Sequence, residues 1–305
     1  MTRRSELSRR NLYFYLFVAV SSLAFWVPIS QLVTFSLSHD YGSHILLIVP
    51  LSIFLIYLRR HEIWSDVQAA PKRKEIIIAG SGLFLLALIF LLISKYQPLS
   101  TEKLSLEILS LVMFWLSIFV FCYGTESFIK ARFPLLFLLL LVPLPEFAID
   151  KTIFALQAGS SDVAYGLLRI LNVPVLKEGF ILRLPMVNLE VAKECSGIRS
   201  SIALLVTVLV AAEFVLRSSW RKMLLVVAII PILVLKNGAR IVTIYLLAAY
   251  LNPAFLHGWL HTSGGVVFYL LGLAALIPVT VLLRRGEGKC LNLLPVHEMA
   301  HVTSG

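Results

Sequence analysis

Charge is what this sequence has least of. Only 14% of its 305 residues are charged, 59% are hydrophobic, and the mean hydropathy is +0.88. A soluble chain of this length carries more charge than that, so a soluble globular protein is excluded. Cysteine is nearly as scarce. Cys122, Cys195 and Cys290 are too few and too scattered for a disulfide framework or a zinc site. No internal repeat is visible. No Ala-x-Ala-like site follows the first apolar run, so that run is expected to stay as a membrane span rather than leave as a signal peptide.

What the chain does have is a succession of apolar runs near the ~20 residues that cross a bilayer as a helix. Eight spans are predicted, at about 11–31, 44–58, 75–94, 105–123, 132–149, 197–215, 221–241 and 264–283. The second is short, and the seventh can continue as helix towards Tyr250. The expected fold is an all-α polytopic membrane protein, with a single transmembrane domain over residues 1–285 and a short cytosolic tail over 286–305.

An even number of spans puts both termini on one side. Arg3, Arg4, Arg9 and Arg10 make that side cytoplasmic under the positive-inside rule. The later loops agree. Arg59, Arg60, Lys72, Arg73, Lys74, Lys130, Arg132, Arg217, Arg221 and Lys222 fall inside, as do Arg284, Arg285 and Lys289 in the tail. The net charge of +10 is thus concentrated on the inner side. It reads as a determinant of topology, and nucleic-acid binding is excluded as its cause. Attraction of the inner loops to anionic membrane lipid is the remaining role for it.

The largest outer loop runs from about residue 145 to 194. Its first part has apolar residues at helical spacing (Ile149, Ile153, Leu156, Val163, Leu167, Ile170), predicting one or two helices on the outer face. Its second part alternates through Phe180, Leu182, Leu184 and then Val187, Leu189, Val191. With Pro185-Met186 between, this predicts a small β-hairpin.

Three stretches carry chemistry. In "KECSGIRSS", Cys195 faces outward and sits in the first turn or cap of the sixth span. Free backbone N–H groups and the positive end of the helix dipole gather there, and both favour a thiolate. The N–H groups around Ser196 and Gly197 can hold an oxyanion. An inert interfacial cysteine fits the same position.

In "VLKNGARIVTIYLL", Lys236, Asn237 and Arg240 interrupt an apolar helix. Counting ~1.5 Å per residue from Arg221 puts Arg240 at ~28 Å, near the outer boundary. Asn237 and Arg240 share one helix face. Arg240 either stabilises developing negative charge or snorkels as an interfacial anchor. In "HGWLHTSGGVVFYLLG", His257 and His261 lie outside the last span. A metal would need a third ligand, and no acidic residue stands nearby. The choice is between a general acid/base and interfacial packing.

At these residues the chain resembles the exosortase/archaeosortase family of integral-membrane cysteine transpeptidases. The matching elements are "ECSGIRS", "NGAR" and "HTSGG". Upstream, "YGSHILLIVPLSIFLIYLRR", "FLLLLVPLPE" and "KEGFILRLPMVNLEVAKECSG" extend the similarity over about residues 40–285.

The resemblance implies a bacterial inner-membrane enzyme whose active site faces outward. Cys195 is then the nucleophile, Arg240 the oxyanion or substrate stabiliser, and His261 the acid/base. His261 is preferred to His257 because a glycine, Gly265, follows it by four residues. Ser196, Gly197, Arg199, Asn237 and His257 are supporting candidates. No metal or other cofactor is called for. The implied substrates are exported proteins ending in a motif such as Pro-Glu-Pro, a transmembrane helix and a basic tail. The new C-terminus passes to a lipid, glycan or amine acceptor. The alternatives are a protease with water as acceptor, or a transporter or polysaccharide-export component lined by Lys236 and Arg240. Against transport, no pair of Gly/Pro-broken spans recurs in two halves.

Overall fold

A computed structural model of the chain describes residues 3–64, 73–98, 100–185, 187–191, 197–256 and 265–291. The chain divides into two compact units, Met1–Asp150 and Lys151–Gly305.

The first unit opens with α1 (Arg3–Ala24) and α2 (Trp26–Ser38), which meet at Phe25 with a bend of 75°. The predicted first span therefore continues to Ser38 but is not straight. Pro28 is the physical reason, because its ring opposes the carbonyl of Ala24, four residues back, and it lacks an N–H. Next come α3 (Ile45–Leu58), the single turn and a half of α4 (Arg60–Trp64), and α5 (Arg73–Ser94). α3 has 14 residues, about 21 Å of helix, and is shorter than the hydrocarbon core.

α6 (Thr101–Lys130), which bends at Gly124, is the centre of this unit. Over its most apolar window 56% of residues are buried, against 11% for α5. α5 turns Ile77, Ile78, Leu85 and Leu92 outward, as a lipid-facing helix does. Serine hydroxyls tie the helices together by donating to neighbouring carbonyls. Ser110 Oγ reaches Ala87 O at 2.7 Å, and Ser117 Oγ reaches Gly80 O at 2.9 Å. Ser52 Oγ reaches Pro134 O and Ser105 Oγ reaches Pro143 O, each at 2.7 Å.

α7 (Arg132–Phe137) tightens into a 3₁₀ turn, Leu138–Leu141, and the helix stops there. The predicted fifth span, 132–149, is thus interrupted at 142–145. Pro143 and Pro145 remove two donors and push the residues before them out of the helical region, and Val142 is extended. Glu146 starts α8 (Glu146–Ile170), within which the boundary between the units falls. The outer-loop helix is therefore one continuous helix that begins earlier than its apolar periodicity suggests.

In the second unit, α8 is followed by β1 (Leu176–Glu178), β2 (Ile181–Arg183) and β3 (Asn188–Glu190), an antiparallel sheet in the order β1-β2-β3. The predicted hairpin is β2–β3, with Ile181 opposite Glu190. The unforeseen strand is β1, with Glu178 opposite Ile181. Only Gly179 and Phe180 separate β1 from β2, and Gly179 has φ +59°, as a two-residue hairpin turn requires. Leu182, Leu184 and Val191 pack with Ala164 and Leu168 of α8. Ile241, Val242 and Tyr245 complete that core from α10 (Ser219–Tyr250). A second core joins α9 (Ile198–Val215), α10 and α11 (Gly265–Leu291) through Leu204, Val208, Leu225, Ile229 and Leu276.

Among the described residues, five helices are long and apolar enough to cross a membrane: Arg73–Ser94, Thr101–Lys130, Ile198–Val215, Ser219–Tyr250 and Gly265–Glu287. Two pairs, each interrupted by a short break, bring the number to seven, and Ile45–Leu58 is a shorter apolar helix. The protein is an all-α, multi-pass membrane protein, with one small sheet among the described residues.

Candidate active site

The polar face of α10 lies among apolar residues. Lys236, Asn237 and Arg240 are all more than nine-tenths buried, the last two one turn apart on one face as their spacing predicted. Small residues let α8 come close enough to meet that face. A Cβ at Gly238 would fall 2.4 Å from Val163 Cγ1, and one at Gly159 would fall 2.9 Å from Val234 Cγ1. Only helices with hydrogen at these positions can cross so tightly. The crossing brings Ser160 to Asn237, whose Nδ2 donates to Ser160 Oγ at 3.0 Å.

α9 meets the same face with its N-terminal end. Gly197 is its N-cap residue, in the left-handed region at φ +70°, ψ 21°. Its carbonyl accepts from the Ser201 amide at 3.0 Å, from Ser200 Oγ at 3.0 Å and from Ser201 Oγ at 2.8 Å. Its hydrogen-only face is turned to Asn237: a Cβ there would stand 2.8 Å from Asn237 Oδ1. Glycine is thus demanded twice, by conformation and by space. Ser200, one turn into α9, accepts a hydrogen bond from Lys236 Nζ at 2.5 Å. α11 makes room for that lysine through Gly272, where a Cβ would lie 3.2 Å from Lys236 Cδ.

The sheet is tied to the same frame. Gln157 Nε2, from α8, donates to Val191 O at 2.8 Å, and the Val191 amide donates to Phe180 O at 2.9 Å. Val191 and Gly197 are therefore both held, one by α8 and the β1–β2 turn, the other against α10.

Of the residues expected at the site, Gly197 and Asn237 are brought into contact. Arg240 is buried one turn beyond Lys236, and Arg199 is exposed on the first turn of α9. Cys195, Ser196, His257 and His261 lie outside the described residues. Ser160, Ser200, Gln157 and Gly272 were not foreseen. Small and hydroxyl residues inside "LQAGSSDV" and "YLLGLAAL" are the signal that would have pointed to two of them. Among the described residues no group of three or more His, Cys, Asp or Glu is placed to hold a metal.

Chemically, the arrangement sets a helix N-terminus against a carboxamide oxygen and a lysine of the neighbouring helix, with Arg240 buried one turn further along that helix. Backbone N–H groups and a guanidinium are the donors that suit a developing oxyanion. A family model described as transmembrane exosortase matches residues 33–278. No curated protein and no solved structure matches the chain.

Proposed function

The chain belongs to the transmembrane exosortase family, and from that premise we propose that it is a membrane-embedded cysteine transpeptidase. Its substrates are exported proteins with a C-terminal Pro-Glu-Pro-like motif, a transmembrane helix and a basic tail. The reaction takes place at the outer face of a bacterial inner membrane, with both termini of the enzyme in the cytoplasm. Family membership carries the general transpeptidase or protease role. The observation that supports this site is the seating of Gly197 on Asn237, with Arg240 one turn along α10. Cys195 precedes Gly197 by two residues, a covalent tether of at most about 7 Å between Cα atoms.

In this reading His261 takes the proton from the Cys195 thiol, and the thiolate sulfur attacks the scissile carbonyl carbon. Arg240 and the backbone N–H groups at the start of α9 hold the resulting oxyanion. As the C–N bond breaks, His261 returns its proton to the leaving amine, and the segment carrying the transmembrane helix departs. A thioester remains on Cys195. An acceptor amine or hydroxyl then attacks the thioester while His261 takes its proton, and the thiolate leaves and is reprotonated. Hydrolysis differs only in having water as acceptor.

The test is co-expression with such a substrate and mass spectrometry of the enzyme. A mass adduct on Cys195 equal to the substrate up to the motif, absent from Cys195→Ala, is the expected result. Normal processing by Cys195→Ala would sink the reading. Of the two histidines, His261→Ala is expected to stop processing and His257→Ala to leave it. The reverse result reassigns the acid/base.

A further inference from the structure

The mechanism above leaves Lys236 without work, although it is the more unusual of the two cations buried beside Asn237 on α10. It is 7% exposed and its Nζ is bonded to a neutral partner, Ser200 Oγ. From α11, Gly272 clears space for its stem beside Leu204 of α9 and Ile232 of α10. Among the described residues no carboxylate pairs with it, and the charge that acts on it is Arg240, of like sign. Withdrawing an ammonium from water costs far more than one hydroxyl returns, and a second cation one turn away adds to the cost.

A lysine kept only for packing or anchoring behaves differently. Its stem is long enough to carry the ammonium to the interface, and at an interior position an apolar side chain of equal volume is the more stable choice. Here the stem is turned inward and fitted against a glycine. Such a cation is stable when an anion joins it, and these described residues supply none.

We infer that Lys236 is the receptor for a carboxylate carried by the substrate, and that it selects an acidic residue beside the scissile bond. Ser200 fixes where that carboxylate lies. Its hydroxyl accepts from Lys236 and donates to Gly197 O, the turn two residues beyond Cys195. An extended peptide advances about 3.3 Å per residue. With Cys195 tethered by two residues, at most about 7 Å, to Gly197, the acyl-transfer reading assigns the ammonium to a side chain one or two residues from the scissile carbonyl. The inference rests on the acyl-transfer reading for the path of the substrate backbone. The carboxylate receptor itself rests on the burial and pairing of Lys236.

The experiment uses reporters with Glu, Gln or Lys at the acidic position of a Pro-Glu-Pro-type motif, followed by a transmembrane helix and a basic tail. Each is co-expressed with the wild type, Lys236→Gln or Lys236→Glu, and the cleaved fraction is followed over time. The wild type is expected to process the Glu reporter about 10- to 100-fold faster than the Gln reporter, the range of a charge-assisted pair. Lys236→Gln is expected to bring the two within about threefold, and Lys236→Glu to prefer the Lys reporter. An undiminished Glu preference in Lys236→Gln, or equal slowing of all three reporters, overturns the inference.

If the wild type leaves every reporter whole, the proposed reaction fails, and binding decides the inference separately. Purified Cys195→Ser in lipid nanodiscs is titrated with synthetic Glu and Gln versions of the motif peptide. A Glu preference of about tenfold that vanishes on adding Lys236→Gln upholds the receptor. Equal affinities overturn it.

Discussion

The two units bury different kinds of polar residue. Among the described residues, every buried polar side chain of the first unit is a serine: Ser36, Ser52, Ser94, Ser105, Ser110, Ser117 and Ser127. Those with neighbours across the unit give their hydroxyl to a carbonyl of another segment. The second unit buries Gln157, Arg221, Lys236, Asn237 and Arg240 alongside Ser160, Ser161 and Ser201. A hydroxyl inside a bilayer is cheap to satisfy, since any helix offers it a carbonyl. A cation or a carboxamide is not, and its presence there points to function. The first unit is therefore read as packing, and the second as the bearer of the chemistry.

That contrast can be broken most severely at Arg240. Arg240→Ala should lower processing by about 100-fold or more, the scale for losing a preorganised oxyanion partner. Arg240→Lys should recover part of it, because a point charge replaces a planar fork. Processing assayed at matched protein levels decides, and full activity in Arg240→Ala would remove Arg240 from the site. Gly197→Ala comes next. It introduces a left-handed alanine, costing about 1–2 kcal/mol, and drives a methyl against Asn237 Oδ1. We expect about a tenfold loss of activity with modest loss of thermal stability in detergent. An unaffected enzyme would show that the cap turn does not set the geometry.

The smallest effects should come from the first unit. Ser110→Ala and Ser117→Ala each remove one helix-to-helix hydroxyl bond, worth about 0.6 kcal/mol and at most about 1.7 kcal/mol in a membrane. Their melting temperatures should fall slightly and activity should stay within about twofold. A large loss of activity from either would end the division of labour.

Much of this was legible in the chain. The apolar period marked the helices, and the break in it marked the polar face of α10 correctly, including the continuation to Tyr250. Local conflicts were harder to read. Pro28 lies inside an otherwise unbroken apolar run, so hydropathy alone carried the first span straight through the bend. β1 is three residues long and two of them are charged, so no alternation could reveal it. The bond from Lys236 to Ser200 joins residues 36 positions apart, and helical spacing says nothing at that range. Gly197 and Asn237 could be nominated separately, but their contact depends on how α9 and α10 pack.

The crossing at Gly159 and Gly238 has a consequence for biogenesis. Ribosomes deliver the chain from the N-terminus, so α8 and α9 are made before α10. When the cationic segment of α10 leaves the translocon, the hydroxyls of Ser160 and Ser200 are already in the membrane. Only the clearance at Gly272 is still to come. Lys236 and Asn237 thus enter the bilayer with their hydrogen-bond acceptors waiting, which lowers the cost of integrating a helix whose second half carries two cations.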